Sequence, residues 1–167
     1  MSNTSIISPL TRSRDYTDKG HEFEKFIVSR FNPAYFTLLH WQNEKQSGNV
    51  CPLSNHDPHL VYQFNLQDKT HMFSIECKFR EKDYRNKFTW AEPYQLRNYK
   101  RFQEQTKMPL FVVIGLGGLP SKPTNMYLIP FNDIEDTTTL KLTRIMDNER
   151  TNTATHFFFD PLSGMLK

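Results

Sequence analysis

The chain has 167 residues, a formal net charge of +3 and many aromatic residues: 14 Phe, 7 Tyr and 2 Trp. That length fits one domain with an aromatic core. Two cysteines exclude a disulfide framework, and no apolar run approaches the ~18 residues of a membrane span. The first twenty residues lack the apolar stretch of a secretory signal, so a soluble cytoplasmic protein is expected. The mild positive charge permits a polyanionic partner without requiring one.

Residues 1–16 are polar and contain Pro9, so a flexible arm is expected, followed by a single domain over 17–167. A helix is expected over 17–32, capped by Thr17 or Asp18 and ended by Pro33. On a helical wheel Phe23, Phe26, Ile27, Val28 and Phe31 form an apolar arc. Glu24 falls inside that arc, so one carboxylate points inward. Residues 35–41, YFTLLHW, read as a strand, and 43–57 as a turn-rich loop. Two further strands follow, 59–66 and 71–80, joined by the polar connection 67–70. In the second of these Phe73, Ile75, Cys77 and Phe79 share one face, while Ser74, Glu76 and Lys78 share the other.

Residues 81–87 form a charged loop, and a helix is expected over 92–105, with Pro93 in its first turn. Residues 110–116, LFVVIGL, are a continuous β-branched run of the kind covered on both faces. A turn over 117–124 leads to a strand over 126–131. Residues 140–146 suit a strand or a short helix, and 156–159 a last strand. A meander followed by a helical crossover implies an α/β sandwich: a mixed central sheet flanked by helices.

Glu76 and Lys78 stand about 6–7 Å apart along one strand face. By backbone position alone that is too far for a snug ion pair. It suits two groups converging on a third object, such as a divalent metal with a reacting water. Mg²⁺ takes oxygen ligands and keeps several waters. Glu76 supplies one carboxylate, and the backbone carbonyl of Cys77 supplies another oxygen. Asp57, at the start of the neighbouring strand, is the candidate second carboxylate. Asp68 lies at the opposite end, and Glu24 is a candidate third acid. Cys51, His56 and His59 hint at zinc, but no fourth ligand stands at a structural spacing.

Asp57 followed by Glu76-x-Lys78 resembles the signature of the PD-(D/E)xK nuclease superfamily, whose restriction-endonuclease-like fold has an αβββαβ core. His56 precedes Asp57 and Pro58 follows it, where the family name puts proline first. KGHEFE, residues 19–24, resembles the first-helix motif of many members, which ends in a Glu that joins or supports the metal site. QLRNY, residues 95–99, resembles the QxxxY motif of the RecB-like branch. The resemblance covers about residues 19–131 and leaves 132–167 as a C-terminal extension.

The resemblance implies metal-dependent hydrolysis of a phosphodiester, with DNA the expected substrate and RNA left open. Asp57 and Glu76, with Glu24 and the Cys77 carbonyl, would hold Mg²⁺, or Mn²⁺ in its place. Lys78 would orient the attacking water and stabilise charge on the phosphate, and Gln95 would help position one of these groups. Tyr99 would pack and orient. Arg80, Lys82, Arg85, Lys87, Arg97, Lys100 and Arg101 cluster around these residues in sequence and are candidate phosphate contacts. Many relatives are dimers, so a homodimer is compatible with the resemblance. The rival readings are a non-catalytic nucleic-acid-binding or scaffold protein that retains the fold, and a small-molecule phosphodiesterase.

Overall fold

The computed structural model describes residues 9–42 and 57–167, with side chains from Asp18 onward. The hinted zinc residues Cys51 and His56 lie outside the described residues. Helix α1 spans Pro9–Val28, so residues 9–16, expected in an arm, belong to this helix. A proline is tolerated at a first helical position, and no glycine or proline interrupts the chain until Gly20. The helix ends at Val28, before the expected Asn32. Arg30 N–H and Phe31 N–H bond three residues back, to Ile27 and Val28 carbonyls, so the chain tightens and leaves the α-helix ahead of Pro33.

Five strands form the central sheet: β1 (Phe36–Trp41), β2 (Leu60–Leu66), β3 (Lys69–Arg80), β5 (Leu110–Leu119) and β6 (Lys122–Pro130). Their spatial order is β1-β2-β3-β5-β6. The β3–β5 pair is parallel and the others are antiparallel. Helix α2, Pro93–Thr106, lies in the crossover between the two parallel strands. A short strand β4, Lys87–Thr89, replaces the end of the expected charged loop. It pairs with β7, Thr139–Lys141, which continues into the one-turn helix α3, Leu142–Ile145. The polar run 81–87 concealed β4 because only Phe88 of its three residues is buried.

The two faces of the sheet carry separate cores. On one, Phe23 and Ile27 of α1 pack with Phe31, Tyr62, Phe73, Ile75 and Cys77 in an aromatic-rich cluster. On the other, Tyr99 of α2 packs with Trp90, Val112, Ile114 and Phe131. This partition follows from strand alternation along β3: Phe73, Ile75, Cys77 and Phe79 face α1.

The C-terminal extension serves both cores. Leu140 and Ile145 join the α2 side, while Phe157, Phe159 and Leu166 close the α1 side. Its last strands are the short pair β8 (Phe159–Asp160) and β9 (Met165–Leu166), not one strand over 156–159. Of the extension, a single bridge, Glu149 to Tyr127, reaches the sheet edge among the described residues. No helix of the described residues is long and apolar enough to cross a membrane.

Candidate active site

Register places the acids. Leu60 pairs with Ile75, so carrying the antiparallel ladder back beyond Leu60 sets His59 level with Glu76 and Asp57 level with Lys78. The sheet end formed by the last residues of β3 therefore receives Asp57, His59, Glu76 and Lys78 together. Glu24 arrives there from α1, one residue after the buried Phe23.

Glu76 is 1% exposed, and both its oxygens are engaged. Oε1 accepts from the Tyr99 hydroxyl at 2.6 Å and lies 2.8 Å from Lys78 Nζ. Oε2 accepts from the His59 backbone N–H at 3.2 Å. Burial alone would raise the Glu76 pKa. The attraction of His59 and Lys78, with hydrogen bonds from Lys78 and Tyr99, outweighs it and holds the carboxyl below its ordinary value. Burial and the neighbouring Glu76 charge push the Tyr99 hydroxyl up, so it remains a donor.

The close Lys78–Glu76 pair corrects the expectation that backbone spacing keeps them apart. The four-carbon lysine stem bends back along the strand, and its ammonium lies 5.9 Å from the Tyr99 ring centroid. Both groups are nearly dry, so the pair is strongly favoured once it is buried.

Glu24 is 2% exposed and accepts the Trp41 indole N–H at 2.9 Å on Oε2. Its Oε1 lies 3.4 Å from His59 Nδ1, which is itself 3.6 Å from Glu76 Oε2. His59 thus links a carboxylate carried by α1 to one carried by β3. The Cys77 N–H also approaches Nδ1, at 3.4 Å. A nitrogen bearing a proton cannot accept that bond, so the long Cys77 contact is the weaker of the competing arrangements. Burial, then the charges of Glu24 and Glu76, drive the Cys77 thiol well above its ordinary pKa, and its side chain sits in the apolar core as expected.

Asp57 and Glu76 line one polar cavity of about 60 Å³ with Gln42, His59, Tyr94, Gln95, Asn98 and Tyr99. That volume has room for a few water-sized species. Lys78 reaches Glu76 but does not line the cavity. Burial lowers the His40 pKa on neighbouring β1, and the Asp57 charge opposes that shift. Among the described residues, no three His, Cys, Asp or Glu side chains stand ready-grouped around a metal position.

Gln95 lines the cavity, yet its carbonyl oxygen accepts the Glu92 N–H at 2.9 Å. Part of this side chain therefore caps α2. The spacing from Glu92 to Gln95 is that of a capping box, a signal present in the sequence. Sequence reasoning also missed His59 as a link and Trp41 as the partner of Glu24. Nothing in a one-dimensional pattern brings the end of β1 to α1.

Of the candidate phosphate contacts, Lys82, Arg85, Lys87, Arg97, Lys100 and Arg101 are exposed. Arg80 is half-buried and donates to the backbone carbonyls of Phe79, Thr89 and Trp90. It ties the end of β3 to β4.

No protein-family profile matches the chain, and no curated protein matches it significantly. Among solved structures it is similar to Hjc, a Holliday junction resolvase from the archaeal hyperthermophile Archaeoglobus fulgidus. The two are 15% identical with a TM-score of 0.51, over 76% of this chain and 92% of the resolvase. With its five-stranded mixed sheet, α1 and α2 on opposite faces and this likeness, the chain shares the fold of that resolvase, the restriction-endonuclease-like fold expected from the sequence.

Proposed function

We propose that the protein is a metal-dependent nuclease that hydrolyses phosphodiester bonds in DNA. The observation that carries this reading is the shared cavity: buried, ionised Glu76 and half-buried Asp57 face one small polar space at the end of the central sheet. An apolar or fully solvated sheet end would give no reason to bury two acids, Glu24 and Glu76, within reach of one histidine.

The donor set fits Mg²⁺. Asp57, Glu76 and Glu24 are oxygen donors, the Cys77 carbonyl adds another, and the cavity leaves room for water. Mn²⁺ suits the same oxygens and tolerates a nearby imidazole. When bound, the ion would polarise the scissile phosphate and acidify a water. The chain's own groups do the rest. Lys78 and Tyr99 fix Glu76 through one oxygen, while the other lies against His59. The Lys78 ammonium supplies positive charge beside the site for a developing phosphate charge. Gln95 and Asn98 on the cavity wall can orient water or a phosphate oxygen. The exposed cations of the β3–β4 turn and of α2 would bind flanking phosphates. A homodimer would set two such sites against two strands.

The test is cleavage of plasmid, linear, branched and single-stranded DNA in Mg²⁺ or Mn²⁺, with an EDTA control. Asp57→Asn and Lys78→Gln should each lower the rate by at least about 10²-fold, with circular dichroism confirming the fold. Cleavage that survives both substitutions, or that proceeds in EDTA, would remove this reading. DNA binding without cleavage on every substrate would favour a non-catalytic protein that keeps the fold.

A further inference from the structure

The connection from β3 to β4 contains a tight two-residue turn closed by an isolated bridge between Tyr84 and Lys87. Tyr84 and Lys87 exchange backbone hydrogen bonds at 2.8 and 3.2 Å around the two central residues Arg85 and Asn86. Both central residues have positive φ, 52° and 59°, the pattern of a type I′ turn. Asparagine adopts that conformation readily, but arginine at the first position is strained. The surroundings hold the turn in place. Asn86 N–H donates to the Asp83 carboxylate at 2.8 Å, and Leu142 N–H donates to the Asn86 carbonyl at 2.8 Å. Next to the turn, Phe88 is buried in the α2-side core.

This rigid tip displays an uncommon set of side chains. Tyr84 is 68% exposed, and the Arg85 guanidinium covers its ring at 5.3 Å from the centroid. Lys82, Arg85 and Lys87 are exposed and form no ion pair with a described carboxylate, while nearby Glu81 pairs with Lys19. Arg80 clamps the end of β3 to Thr89 and Trp90, and Tyr94 on the cavity wall follows four residues after Trp90. The tip is therefore tied, through Arg80 and Thr89, to the segment that leads into the cavity wall at Tyr94.

We infer that the Tyr84–Arg85 tip is a stacking platform for an unstacked DNA base at a strand end or branch, with Lys82 and Lys87 on the adjoining phosphates. This deepens the nuclease reading and rests on it. The chemistry argues for that partner. An aromatic face backed by a guanidinium, with the exposed Lys82 and Lys87 close by in the chain, matches a base flanked by phosphates. A continuous duplex stacks its bases on one another and offers no free face. A turn held by the Tyr84–Lys87 pair and by both backbone groups of Asn86 also gives up little freedom on binding.

The test is binding by fluorescence anisotropy in EDTA, which suppresses cleavage. The probes are a branched DNA with 2-aminopurine at the branch and a continuous duplex of the same sequence. Tyr84→Ala should weaken binding to the branched DNA about tenfold or more, abolish 2-aminopurine quenching and change duplex binding less than about twofold. Tyr84→Phe should retain both signals. Tyr84 is exposed, so an unchanged melting temperature is expected and checks the fold. Equal losses on both probes, no loss on either, or quenching that survives Tyr84→Ala would overturn the inference. If the parent protein cleaves DNA in Mg²⁺ and Tyr84→Ala matches it on every substrate, the platform fails and the nuclease reading stands. If the parent neither binds nor cleaves any DNA, both fall.

Discussion

Glu76 is charged where burial by itself would favour the neutral acid. Lys78, His59 and Tyr99 reverse that preference, and this has a measurable consequence in acid. The folded pKa lies below the ordinary 4.5, so the unfolded chain takes up this proton first as pH falls. The stabilisation is complete above the ordinary value and disappears as pH drops through the lowered one. Glu76→Gln should therefore be less stable than the parent at neutral pH, and the gap should narrow between about pH 5 and pH 3. Urea midpoints of both proteins across that range measure it, and a gap that does not change with pH would contradict the assignment. Glu76 and Lys78 were legible as a pair because strand alternation puts i and i+2 on one face. Their direct contact was not, because side-chain bending into a dry environment is a tertiary effect. His59 was legible only as a stray histidine, since its role depends on α1 and β3 approaching it from different directions.

Helix α1 carries Glu24, so the site depends on how that helix docks. Its Phe23 ring lies over Gly115 of β5: a Cβ there would stand 2.6 Å and 2.9 Å from two atoms of the ring and 3.1 Å from Phe79. Gly115 is thus a contact surface that permits close approach of helix and strand. Gly115→Ala should destabilise the fold by about 1–3 kcal/mol, read by urea denaturation. It should also weaken activity, because the residue after Phe23 is Glu24. A variant as stable as the parent would show that the helix adjusts freely. Helix α2 was well delimited in sequence by Glu92-Pro93 at one end and Pro109 beyond the other. Lys107, in left-handed conformation, closes it. Strand β4 escaped notice because three residues with one apolar side chain carry no periodicity. It forms only because β7, whose Leu140 faces Phe88 from far along the chain, supplies its partner.

Across the whole molecule the net charge stays small, and Arg97, Lys100 and Arg101 stand exposed along α2. If Arg97, Lys100 and Arg101 contact phosphates, replacing all three with glutamine should make the slope of log K against log salt shallower by about 0.9 per lost contact. Titrations between low and physiological salt measure this, and an unchanged slope would exclude the outer face of α2 from the interface. The C-terminal extension acts at this scale too. Its aromatic residues complete the α1-side core and its β7 completes the β4 pair, so it is structural material for the same domain.

Local rules settled the strands and helices of the central sheet, the face on which each acid lies, and the inward aim of Glu24. Those features depend only on periodicity, turn chemistry and proline placement, which neighbouring residues carry. Packing alone decided that Asp57 and Glu76 share a cavity and that His59 joins two carboxylates. It also decided that Arg80 braces β4 while Tyr84 and Arg85 stand out on a stiff tip. Each of these rests on contacts between segments far apart along the chain, and their distances are set by the assembled sheet and its two cores.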